Sequence, residues 1–188
     1  GKEMPHVRSR EQPEGPEVHM DFCFMGEEGG GPKLATLVAK ERNTKMMMAS
    51  VVPYKSTGTF IAKRIVAFMR EVGCEQGDVT IKTDQEPAMK AIVTEVGRVR
   101  AAAGGGRMVV ESSPVKQSAS NGVVERAIGS EEAQVRVSKS ALEARWKMNI
   151  DSGHPALPWM AECEAVLMNR FEVGRDGKTS FERCKAKM

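Results

Sequence analysis

The chain has 188 residues, 40% of them hydrophobic and 28% charged, a balance that suits one globular domain with short extensions and argues against a disordered or fibrous polypeptide. Its 28 basic and 25 acidic residues leave a net charge of +3, which permits a nucleic-acid partner without requiring one. No apolar run of about 18 residues and no signal peptide is present, so neither membrane insertion nor secretion is expected. The cysteines at 23, 74, 163 and 184 lie far apart, with no CxxC and no histidine at ligand spacing. That argues against zinc and against a disulfide framework, and free thiols point to a reducing compartment.

In chain order, residues 1–16 (GKEMPHVRSREQPEGP) are charged, Pro-rich and aperiodic, and are expected to form a linker or arm. VHMDFCFM follows as a strand, with Val18, Met20, Phe22 and Phe24 on one face and Asp21 on the other. After a GEEGGGPK turn, LATLVAKE and KMMMASVVPY read as two more strands joined at Arg42–Asn43–Thr44, giving an antiparallel meander. Met46, Met47 and Met48 are read as core filler. Ile61, Ile65, Phe68 and Val72 recur at helical spacing, so 57–73 is expected to be a helix capped by Thr57 or Ser56.

VTIKTD is a short strand, and Pro87 is placed to open a helix whose apolar face carries Met89, Ile92, Val93 and Val96. RMVVES is a fifth strand, and SSPVKQSAS a polar exit. A long helix then runs from about Ser120 toward Trp146, with Val124, Ile128, Val135 and Leu142 on one stripe. A further helix spans Pro155 to Arg170 and carries Trp159, Cys163 and Val166. The two tryptophans are expected in a core or an interface. The order βββ-α-β-α-β-α-α defines an α/β domain: a mixed five-stranded sheet, three strands in a meander plus two more, flanked by helices. Residues 17–170 form the expected core, and 171–188 a C-terminal extension.

Three acids stand out: Asp21 in MDFCF, Asp84 in VTIKTDQEP and Glu125 in SASNGVVERAIG. Two belong at or near strand ends and one on a helix, a layout able to gather three carboxylates around divalent ions. Carboxylate oxygens suit Mg²⁺ and Mn²⁺, and paired hard metals are the usual route to cutting and joining phosphodiesters. Asp21 in an apolar strand needs a metal, a cation or a cleft, because burying it unpaired is costly. Lys116, Gln117 and Asn121, on or beside the loop leading to Glu125, are candidate contacts to DNA ends. Arg126 is placed either to face phosphates or to pair with Glu131 or Glu132. His19, two residues before Asp21 on the same strand face, is expected to be a partly buried neutral histidine.

The order of elements and acids resembles the ribonuclease H-like fold. ESSPVKQSASNGVVERAIGS is similar to the loop and helix of retroviral and retrotransposon integrase cores. TDQEPAM and MDFCFM resemble that family's two Asp segments, and PWMAECEAVLMNR and GRDGKTSFER its trailing segments. The resemblance covers roughly residues 16–184. It implies an Mg²⁺-dependent (or Mn²⁺-dependent) polynucleotidyl transferase with two ions held by Asp21, Asp84 and Glu125. It further implies 3′-end processing and strand transfer of DNA, a homodimer or higher multimer, and action in the nucleus or a cytoplasmic particle. Two departures stand out. Forty residues separate Asp84 from Glu125, a few more than the retroviral pattern, and Gly129 and Glu132 occupy positions where retroviral enzymes place DNA-binding lysines. A ribonuclease H-like nuclease without strand transfer, and a degenerate copy that only binds nucleic acid or dimerises, are the rival readings. No fourth acid of the nuclease type stands out in the matching words.

Overall fold

A computed structural model describes residues 15–25, 33–52, 58–112 and 122–186. Five strands form one sheet: β1 (Glu17–Met25), β2 (Leu34–Glu41), β3 (Met47–Val52), β4 (Val79–Thr83) and β5 (Met108–Ser112). Five helices surround it: α1 (Thr59–Glu71), α2 (Pro87–Ala102), α3 (Gly122–Trp146), α4 (Ala156–Phe171) and α5 (Ser180–Lys185). The strand order is β3-β2-β1-β4-β5. β1, β2 and β3 pair antiparallel as the expected meander, β4 adds parallel to β1, and β5 parallel to β4.

Alternation along β1 divides the interior in two. Val18, Met20 and Phe22 enter a large core with Ile61, Ile65 and Phe68 of α1 and Met89, Ile92 and Val96 of α2. Cys23 and Met25, on the opposite face, enter a second core under α3 and α4 with Val124, Ala127, Val135, Ala161 and Ala165. Met46 and Met47 are buried and Met48 partly so, as expected of filler. Phe24 departs from its stripe and is 49% exposed. On β1, β4 pairs with Glu17–His19, and among the described residues no strand pairs with the far half of β1 on that side.

Pro87 opens α2 as expected. α1 begins later than the periodicity suggested: its N-cap is Gly58, with no side-chain cap. Ser56 and Thr57 lie outside the described residues. Trp146 and Trp159 are 58% and 65% exposed, so neither is a core residue in this chain. Segment 171–186 folds back on the domain. Val173 bridges to Thr179, Cys184 joins the large core, and its Sγ donates to the Glu71 carbonyl at 3.3 Å. α5 itself was not expected, although its signal lies in the sequence. Thr179 and Glu182 form a reciprocal capping box around a single short turn.

Two polar anchors fix the helices. The Asn169 side chain acts as a strand partner for Met47, accepting from its N–H at 2.9 Å and donating to its carbonyl at 2.7 Å. Arg100, fully buried at the end of α2, donates to the carbonyls of Cys74, Gly77 and Gly106. The glycine run closes over it: Gly106 N–H reaches the Gln76 carbonyl at 2.6 Å, and a Cβ there would stand 2.7 Å from that oxygen.

Candidate metal centre

The parallel pairing of β1 with β4 places the two aspartates. The ladder ends with His19 opposite Lys82, and Asp21 and Asp84 each lie two residues beyond that last pair, Asp84 just past the end of β4. Asp21, half-buried, accepts the Phe22 N–H on Oδ1 at 2.8 Å. Asp84 accepts the Glu86 N–H on Oδ1 at 3.1 Å, a turn that leads into α2. Glu125 is exposed in the first turn of α3, and α3 packs on β1 and β2.

The charges of Asp84 and Glu125 act on Asp21, so the three acids make up a candidate rim. Asp21 is pushed up to about 6, first by burial and then, against the Phe22 hydrogen bond, by the charges of Asp84, Glu86 and Glu125. Glu86 is the group that the sequence reading missed. It stands two residues after Asp84 as the N-cap of α2, and its charge adds to the raising of Asp21.

The donor chemistry suits a hard divalent cation. Every acid at the rim offers carboxylate oxygen. Cys23, the nearest soft donor on the same strand face, is held up at about 12 by burial, then by Glu132, Glu131 and Asp21, and stays a thiol. The geometry is open: among the described residues, no group of three or more His, Cys, Asp or Glu side chains is close enough to hold a metal ion.

Positive charge borders the rim. Lys40, opposite His19 across β1 and β2, is partly buried. Burial lowers its pKa first, offset by Glu172 and reinforced by Lys45, Arg126 and Arg183. Arg126 is exposed, and among the described residues it pairs with neither Glu131 nor Glu132. Its charge falls instead on Lys40 and Lys45. Lys116, Gln117 and Asn121 lie outside the described residues. His19 is more deeply buried than expected, its Nε2 2.6 Å from Glu17 Oε1, and burial lowers its pKa against the pull of Glu17. Glu17 also meets Arg42 and Lys82, at 3.0 and 3.1 Å, so His19 belongs to a structural ion cluster.

No protein-family model and no curated protein matches the chain. Solved structures do. The chain is similar to the catalytic core domain of BIV integrase at 17% identity and TM-score 0.63, over 91% of this chain and 94% of that one. The HTLV-2 integrase catalytic core in complex with magnesium, in trimeric form, is similar at 16% identity and TM-score 0.58, over 88% and 93%. A chain of the simian T-cell lymphotropic virus intasome in complex with a PP2A regulatory subunit is similar at 14% identity and TM-score 0.66. That likeness covers 89% of this chain and 53% of that one, so the present chain spans about half its length. The fold is therefore the ribonuclease H-like fold of integrase catalytic cores.

Proposed function

We propose that this chain is the catalytic core of an integrase-type polynucleotidyl transferase from a retrotransposon-like element. In this reading it processes 3′ DNA ends and joins them to target DNA, in the nucleus or in a cytoplasmic particle. The observation that carries the reading is the convergence of three negative fields, two of them from Asp84 and Glu125, on a half-buried Asp21. Such a cluster calls for positive charge, and its donors suit Mg²⁺ or Mn²⁺. The similar HTLV-2 core is described in complex with magnesium.

Asp21, Asp84 and Glu125 would hold two such ions. Glu125 is the exposed member, at the start of α3. Bound divalent ions supply activation of an attacking oxygen and neutralisation of charge building at phosphorus. The protein's own part is to hold Asp21 rigidly in the sheet and Asp84 by its turn to Glu86, and to bring phosphates in along Lys40, Lys45 and Arg126. A dimer or higher multimer is part of the proposal. Similar HTLV-2 cores are described as dimeric and trimeric.

Glu86 favours one alternative, a nuclease of the same fold that hydrolyses nucleic acid without joining, because it supplies a fourth carboxylate at the rim. A DNA end-joining assay with Mg²⁺ or Mn²⁺ separates the two. Joined products establish the transferase, whereas cleavage without joining establishes the nuclease. Salt-sensitive DNA binding with neither activity would overturn both and leave a binding-only copy.

A further inference from the structure

α3 and α4 meet across the second core through small residues, Ala127 on one and Ala161 and Ala165 on the other. Each helix also brings a glutamate to this seam. On α3 the buried stripe runs Val124, Ala127, Glu131, Val135, so an acid occupies an apolar position. On α4, Glu164 stands on the buried face with Ala161 and Ala165. Glu131 has 0% exposure and Glu164 has 4%. Both carboxyl oxygens of Glu131, and Oε2 of Glu164, are buried with no hydrogen-bond partner among the described residues.

Among the described residues, no surrounding group neutralises this pair. On α4, Glu162 is turned away to Ser50 of β3 and Arg64 of α1. On β1 the Cys23 thiol is raised further by the charges of Glu132, Glu131 and Asp21. On β2, Lys40 interacts with Glu172, Lys45, Arg126 and Arg183. On α3, the field of Glu132 falls on Cys23. The charge that acts on Glu131 is that of Glu164. Two ionised carboxylates buried at one seam without a cation are strongly unfavourable, and one proton relieves both the desolvation and the repulsion.

We propose that Glu131, buried with Glu164 at the α3–α4 seam, is a proton-binding site that fastens α3 to α4, with one proton taken from solvent and held on the Glu131 carboxyl. Glu131 is then a neutral acid. Burial first, and Glu164 second, hold its carboxyl up at about 8, so the proton is retained at neutral pH. Losing it leaves a buried anion without a partner, and the seam must open to water. Because α3 carries Glu125, six residues before Glu131, the proton also sets the seat of the candidate catalytic helix. That last consequence rests on the proposed function, whereas the proton site stands apart from it.

The test uses the full chain without divalent metal, read by infrared spectroscopy and by urea unfolding from pH 5 to 9. The native state binds a proton that the unfolded chain releases near its ordinary value of 4.5, so stability declines as pH rises from there to about 8. Glu131→Gln, neutral at every pH, should remove about half or more of that decline. It should also remove a protonated-carboxyl carbonyl band present in the wild type at pH 7. Parallel unfolding curves, or the same band in both proteins, would overturn the proposal. If Glu131→Gln does not fold, Glu164→Gln serves. It relieves the repulsion, so the band should vanish at lower pH than in the wild type, and an unmoved midpoint would overturn the proposal. None of these readouts involves DNA joining, so their failure is distinguishable from failure of the transferase reading.

Discussion

Replacing Asp21 by asparagine should stabilise the metal-free protein while removing a candidate ligand. The carboxyl is raised from its ordinary value of 3.8 to about 6, with burial the largest cause and three neighbouring acids adding to it. At ~1.4 kcal/mol per pH unit, holding it ionised costs the fold about 3 kcal/mol. Part of that repulsion comes from partly solvated neighbours and is screened, so the expected gain is about 1–3 kcal/mol at ordinary salt. The sign follows from linkage. The folded state holds this proton more tightly, so wild-type stability falls between pH 3.8 and about 6, and above that window the penalty is complete. Asparagine keeps the Oδ1 acceptor for the Phe22 N–H, so local structure is preserved. Urea unfolding in EDTA should give coincident curves for the two proteins near pH 4 and a more stable Asp21→Asn variant at pH 7. Excess Mg²⁺ should then narrow the gap by stabilising only the wild type. An asparagine variant no more stable than wild type at pH 7 would show that the acids do not act on Asp21 as described.

Asp84→Asn should abolish divalent-metal-dependent DNA cleavage and joining with the circular dichroism spectrum unchanged; wild-type turnover would remove Asp84 from the site. Arg100→Ala strips donors from three carbonyls around a closed glycine loop and should cost about 3–5 kcal/mol by urea unfolding, with Arg100→Lys recovering only part, since one ammonium cannot span the fork. Asn169→Ala leaves the Met47 N–H and carbonyl unpaired in a buried place and should cost about 2–4 kcal/mol. Asn169→Asp should be at least as damaging at pH 7, because a carboxylate would face the Met47 carbonyl oxygen; a milder effect than alanine would refute that account.

Much of the fold could be read locally. The alternation in VHMDFCFM, the stripes at Ile61–Val72 and Met89–Val96, and Pro87 before its helix each depend on neighbours within a turn or a strand. α5 was equally legible through its Thr179 and Glu182 capping pair but was passed over because its neighbours carried no apolar period. Glu86 and Glu131 were not legible. In SEEAQV the buried Glu131 and the partly solvated Glu132 look alike, and only the packing of α3 on α4 separates them. Trp159 falls on a helix in either view, but which face that helix turns outward follows from where Asn169 docks it on β3.

From its letters alone this protein declared its elements, their order and the identity of its three prominent acids, because periodicity and capping act between residues a few positions apart. Tertiary structure decided which charges act on one another: those of Asp84, Glu86 and Glu125 on Asp21, and that of Glu164 on the buried Glu131. Those encounters join residues up to 104 positions apart, where sheet pairing and helix packing set the distance and burial makes each unpaired charge costly.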